Sequence, residues 1–252
     1  MLARWINAQG RGPHRYLMQA AAVVFGLVYA ASFTAAATHF TQELEVPQHD
    51  RLHITGDAQI RLVQAAEFDQ SALIRLSGAP QRLRDLRIQA SDGVLYVDAG
   101  KHNPGSELSI AISLSQLREL FSDGGSRVES DGLTTTSLTV ESHGSGHIEL
   151  HDLHVSDLTV FAADETQIWL SGTVENQYVD LHDLGNYQAA DLSSQTSQVS
   201  VRDDSQVALQ VVHVLDVNLF GNAQVSYRGQ PRVLQHKFGT GGIHYVGEEL
   251  YN

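Results

Sequence analysis

From Leu138 onward the chain repeats itself at a period of 20 residues. LTVESHGSGHIELHDLHVSD is followed by LTVFAADETQIWLSGTVENQ and then by YVDLHDLGNYQAADLSSQTS. Two looser copies come after, VSVRDDSQVALQVVHVLD and VNLFGNAQVSYRGQP, and one precedes them around FSDGGSRVESDG. No other feature constrains the fold so tightly, because a unit this short cannot bury its own apolar face and must stack on its neighbours. Within each copy the residues alternate: Ile148 and Leu150, Ile168 and Leu170, Val207 and Leu209, Val225 and Tyr227 fall on one side of an extended strand, and mostly polar residues fall on the other. Small or acidic turn residues stand before each strand, GlySerGly at 144–146, AspGluThr at 164–166, AspAspSer at 203–205 and GlyAsnAla at 221–223. Twenty residues at about 3.3 Å each make a coil roughly 66 Å around, enough for three short sides about a narrow aliphatic core. A β-sandwich competes, but its strands recur every 8–12 residues or so and seldom hold one register over five copies.

The copies keep register through the aliphatic after each turn: Val128, Ile148, Ile168, Val207 and Val225. The copy around Tyr187 and Ala189 is blurred, so rung boundaries are least defined over 183–198. Ahead of the repeats, ITGDAQIRLVQ (54–64), ALIRLSG (72–78) and RIQASDGVLYVDAG (87–100) are alternating strands broken by Gly and Asp turns. The polar connection KHNPGS at 101–106 marks a boundary. The expected organisation is an N-terminal segment 1–37, opening strands that cap or continue the solenoid over 38–104, and β-helix repeats with a C-terminal cap over 105–252.

Residues 17–37, LMQAAAVVFGLVYAASFTAAA, hold no charge, follow Arg4, Arg11 and Arg15, and precede Glu43 and Glu45. About 20 apolar helical residues span a bilayer core, and the charge order places the N-terminus in the cytoplasm. Ala35-Ala36-Ala37 also offers the small residues that signal peptidase reads. The segment is expected to be a hydrophobic helix, either a cleaved signal peptide or a retained single-pass anchor, and it is the only part expected to contact membrane. Either way the chain after about residue 38 is exported. With three of the 16 basic residues and none of the 29 acidic ones in 1–37, the remainder carries a formal charge of −16. Such a surface repels nucleic acid, which is dropped as a partner. The absence of cysteine rules out disulfides, thiolate metal sites and cysteine nucleophiles.

Four histidines crowd the first full copy: His143, His147, His151 and His154. On a helix an i, i+4 pair would share a face, but on a strand residues four apart lie about 13 Å from each other, too far for one ion with bonds of about 2.1 Å. The repeat places His147 in an outward column with Gln167, Gln206 and Gln224. Asp164, Asp183, Asp203 and Asp204 recur at turns, where aspartate is favoured for its hydrogen bonds. Basic partners for acid–base chemistry are few, chiefly Arg202 and Arg228, and Gly239–Gly242 reads as a turn without a following helix. Trp169 faces outward, where an aromatic ring can stack on a sugar. No catalytic, cofactor-binding or metal-ligating residue is assigned, and no cofactor is expected.

The series of an N-terminal hydrophobic segment, DRLHITGDAQIRLVQ (50–64), DGVLYV (92–97), rungs of L-x-V…G-S-G-x-I-x-L and the closing AQVSYRGQPRVLQHKFGTGGIHYVG (223–247) resembles the "putative auto-transporter adhesin, head GIN domain" family of bacterial envelope proteins. The likeness covers about residues 46–247. Its departures are at turns, where 163–166 and 203–205 replace the family's repeated glycines. The resemblance implies an all-β, right-handed parallel β-helix and an adhesin-like role at the cell envelope, periplasmic or extracytoplasmic, and brings no site residues with it. The expected function is a non-enzymatic interaction or adhesin-like module whose partner is an envelope protein or a surface glycan. The alternatives are a carbohydrate-active enzyme with an acidic groove that uses Asp203 or Asp204, and a scaffold that forms homo-oligomers through open solenoid ends.

Overall fold

Alternation makes each copy a ribbon with one apolar face, and a residue with positive φ at one corner of each regular turn helps fold that ribbon into a coil. The computed structural model describes residues 40–65, 71–101 and 107–247. The segment 17–37, expected as a hydrophobic helix, lies outside them, and no helix among the described residues is long and apolar enough to cross a membrane. The chain runs through β1 (Phe40–Pro47), β2 (Arg51–Thr55), β3 (Gln59–Gln64), β4 (Ser71–Gly78), a short helix α1 (Pro80–Asp85), β5 (Arg87–Ser91), β6 (Val94–Asp98), β7 (Leu108–Leu114), β8 (Glu119–Gly124) and β9 (Arg127–Asp131). The repeats follow as β10 (Thr134–Gly144), β11 (His147–Ala162), β12 (Gln167–Leu181), β13 (Asn186–Val201) and β14 (Gln206–Gly221), and β15 (Gln224–Arg228), β16 (Arg232–Gly239) and β17 (Gly242–Tyr245) close the chain. Together they form an all-β solenoid of about six turns with rungs of about 20 residues.

Three sides can be traced from the pairings. On the first, β6, β2, β8, the last parts of β10 to β14, and β16 stack in parallel. On the second, β7, β3, β9, the first parts of β11 to β14, β15 and β17 do the same. The third is short, with 134–135, 154–155, 173–174 and 193–194 in register.

The space order of the rungs is not their chain order. β2 lies between β6 and β8, and β3 lies between β7 and β9. The first rung in the sequence is therefore clasped between two later ones, and β6 and β7, on either side of residues 101–106, occupy one level of the coil.

One inward column of the second side reads Ile110, Ile60, Val128, Ile148, Ile168, Tyr187, Val207, Val225 and Ile243. All but the last are buried, and each aliphatic so covered stabilises the coil by roughly 1.5–3 kcal/mol. Tyr187 fills the blurred rung. A phenol there is larger than its aliphatic neighbours, and the facing column of the first side compensates, reading Leu138, Leu158, Gln177, Ser197 and Leu215. Gln177 donates to the Tyr187 hydroxyl. The Ser197 hydroxyl donates to Gln177 Oε1 at 2.9 Å, and Ser194 bonds Ser197 at 2.8 Å and the Gln210 carbonyl at 2.9 Å. The side chains of Gln177, Tyr187, Ser194 and Ser197 are all buried. Hydrogen bonds make that burial tolerable, and burial pushes the Tyr187 phenol far above its ordinary pKa.

Candidate functional site

Corners come first, because they aim the side chains on the flanking strands. At the corner between the first and second sides one position has φ between +57° and +153° in successive rungs, and it is held by Gly124, Gly144, Asp164, Asp183, Asp203, Gly221 and Gly239. Glycine meets the left-handed conformation without penalty. Aspartate tolerates it when its carboxylate bonds nearby. Here the carboxylates reach the preceding rung: Asp164 Oδ2 accepts from Gly144 N–H at 2.9 Å, Asp183 Oδ2 from Asp164 N–H at 3.4 Å, and Asp203 Oδ2 from Asp183 N–H at 3.2 Å. Asp204 Oδ1 accepts from Asn222 Nδ2 at 3.1 Å. The departures from a glycine-rich turn are thus substitutions at a single corner column. The basic residues stand elsewhere, Arg202 over the Phe220 ring at 5.6 Å and Arg228 beside Asp191 at 3.9 Å.

The coil spreads the four crowded histidines over different sides. His143 ends the first-side part of β10 and pairs with Glu141 at 2.9 Å. His147 and His151 lie on the second side, and His154 begins the third, 4.0 Å from Asp152. Among the described residues no three His, Asp or Glu side chains are grouped to hold a metal ion. The outward column of His147 reads Arg127, His147, Gln167, Asn186, Gln206 and Gln224, so Asn186 supplies the blurred rung.

Next to it, Glu149 accepts from His147 and from Arg127 at 2.7 Å. The His147 hydrogen bond chiefly, with the Arg127 charge beside it, outweighs partial burial and holds the Glu149 carboxyl below its usual range. Trp169 does face outward on this side, half-buried, with the His147 ring tilted against it at 4.4 Å between centroids. Much of its stacking surface is therefore already occupied.

The first side carries a second outward row. Its outward column reads Tyr96, His53, Phe121, Glu141, Phe161 and Asp180 in consecutive rungs. His53 packs against Tyr96 and Phe121, each at 5.2 Å, and bonds Glu119 at 2.5 Å. Phe121 meets His143 at 5.9 Å, Phe161 meets Tyr178 at 5.9 Å, and His182 stands 3.4 Å from Asp180. Rings alternate with carboxylate–imidazole pairs along the coil axis. Attention to the crowded histidines alone misses this row, although its signal is present in the repeat: Glu141-x-His143, Phe161-x-Ala163 and Asp180-x-His182 occupy one position of three successive copies. The third side holds a different feature, a groove of about 960 Å³ where Thr134, Thr135, Thr173 and Gln195 stand among Val155 and Val174.

The described residues thus form a parallel β-solenoid with a packed aliphatic interior and outward rows of rings and carboxylates. The chain belongs to the family described as "Putative auto-transporter adhesin, head GIN domain", whose model matches residues 48–231. The fold is similar to that of a putative adhesin from Bacteroides fragilis, with a TM-score of 0.78, 19% identity, and coverage of 84% of this chain and 98% of that one. A putative lipid binding protein from Parabacteroides distasonis aligns with a TM-score of 0.68 and 16% identity over 83% of this chain and 97% of its own. A putative adhesin from Parabacteroides merdae gives 0.57 and 14% over 83% and 96%. No curated protein matches the sequence.

Proposed function

We propose that this protein is an exported, non-enzymatic module of the bacterial cell envelope that binds a surface glycan along the first side of a right-handed coil. The observation that carries the reading is the row from Tyr96 to Asp180, where aromatic rings and carboxylate–imidazole pairs alternate along one outward column of stacked parallel strands. Aromatic faces take the C–H side of sugars, and carboxylates and imidazoles exchange hydrogen bonds with their hydroxyls. A repeated surface suits a repeating ligand. The family and its adhesin neighbours support the envelope role, and residues 17–37 support export.

The name of the Parabacteroides distasonis neighbour raises lipid as a ligand. Here the interior is filled by aliphatic side chains, and the third-side groove mixes Val155 and Val174 with threonine, serine, glutamine and charged side chains, a lining that favours a ligand rich in hydroxyls over an acyl chain. The engagement of Asp203 and Asp204 in corner hydrogen bonds speaks against acid catalysis by that pair. The test joins protease accessibility of the full chain in intact and permeabilised cells with its binding to a glycan array. Envelope exposure with glycan binding is expected. Cytoplasmic retention, or polysaccharide cleavage lost in Asp203→Asn, would overturn the proposal.

A further inference from the structure

Three rungs of the first side form a small, symmetric grid. One column holds Glu141, Phe161 and Asp180. The next outward column holds His143, Ala163 and His182, because the ladder continues from Ala163 N–H to the Ser142 carbonyl at 3.1 Å and from His182 N–H to the Ala162 carbonyl at 3.0 Å. The outer rungs are therefore carboxylate–imidazole pairs, at 2.9 Å and 3.4 Å. The rung between them carries a phenyl ring and a methyl group. Phe161 is 37% exposed, and the shortness of Ala163 leaves a notch of about 380 Å³ above it, lined by these side chains and Ala162.

We propose that this notch is a subsite for one neutral pyranose ring. The C–H face of the sugar stacks on Phe161, and its hydroxyl rim meets a carboxylate and an imidazole on each flank. The flanks are two rungs apart, about 9.6 Å, which is of the order of one sugar ring with a hydrogen bond to either side. Charge selects the class. Two carboxylates in the grid, on a chain with a net charge of −13, repel uronic and sialic acids. Glu141 is hydrogen-bonded to His143, and Asp180, 3.4 Å from His182, keeps its Oδ1 out of solvent, so the grid presents an amine with no carboxylate oxygen that is both open and without an imidazole beside it. What remains is a neutral ring with an apolar face and hydroxyl edges. The inference rests on the reading of the first side as the glycan-binding face.

Saturation-transfer NMR on the purified full chain tests it, with methyl glucopyranoside and methyl galactopyranoside as probes and glucuronate and glucosamine as charged counterparts. The neutral glycosides are expected to receive saturation at their ring C–H protons. Phe161→Ala and, separately, Ala163→Leu are each expected to weaken binding at least tenfold. The leucine fills the notch and leaves both flanking pairs in place. Trp169→Ala, on the second side, is expected to leave binding unchanged. Absence of transfer to the neutral glycosides, survival of binding in Ala163→Leu, or preference for a charged sugar would each overturn the subsite. Running the same variants on the glycan array separates the two proposals: array binding retained by Ala163→Leu rejects only the notch, whereas no array binding by the natural chain rejects the glycan-binding face itself.

Discussion

The two ends of the coil solve the same problem in opposite ways. A solenoid stacks rungs by backbone hydrogen bonds and so presents unpaired strand edges wherever it stops. At the first end the chain reverses direction. β5 runs antiparallel to β6, β4 runs antiparallel to β7, and β1 adds antiparallel to β4. Ala72, Ile74 and Leu76 of β4 are buried there, and the buried Arg82 of α1 donates to the carbonyls of Lys101, at 2.7 Å, and Asp57.

At the other end β16 and β17 continue the parallel stack and, among the described residues, pair on one edge only. There, among the described residues, the core column changes chemistry. Leu215, Val217 and Leu219 point inward on β14, and the residues above them in register are Val233, Gln235 and Lys237. Lys237 is one of only two lysines in the chain. A charged side chain at an inward position of the last strand makes a further rung costly, because stacking would bury it without a partner. Among the described residues, one end is closed by packing and the other carries a charge at an inward register position.

The largest effect is expected from breaking that second device. Gln235→Val with Lys237→Leu extends the aliphatic column to the bare end, and light scattering should then show concentration-dependent association that the natural chain lacks. Monomers at all concentrations would show that the inward charge does not guard the end. Next come truncations at the two ends. Ile74→Ala in the packed end should lose about 2–5 kcal/mol in denaturant unfolding, whereas Val233→Ala, half-exposed on the bare end, should lose less than about 1 kcal/mol. Similar losses would erase the contrast.

Midway between the ends, Asp183→Ala should cost about 1–2 kcal/mol, since alanine pays the left-handed backbone cost and forfeits the hydrogen bond to Asp164 N–H. Asp183→Gly, which forfeits only the bond, should cost less. The smallest effect concerns pH. His49, buried where β1 gives way to β2, has its pKa lowered by burial. The unfolded chain therefore takes up that proton more readily than the folded one, so stability present above pH 6.5 falls as the pH drops below that unfolded value. Thermal melts of the natural chain should lose more on acidification than those of His49→Gln, and an equal loss would clear His49.

Much of the regular coil was legible because its signal is local. Alternation within a rung and a turn residue every 20 positions place Val128, Ile148, Ile168, Val207 and Val225 in one buried column and His147 among Gln167, Gln206 and Gln224. Tyr187 escaped that reading because burial of a phenol depends on Gln177 and Ser197 across the core, which one strand cannot reveal. The grid around Phe161 was written in the same repeats, yet its members signify little until three rungs are laid side by side.

By itself, then, the sequence determined the period, the inward and outward faces and the corner positions, since sterics and alternation act within one turn of the chain. Only the tertiary structure decided that β2 and β3 slot between β6–β7 and β8–β9, that antiparallel strands close one end, and that Glu141, Phe161 and Asp180 meet. Those are pairings between distant segments. Any strand edge offers the same backbone donors and acceptors, so the choice among edges falls to the packing of the whole coil.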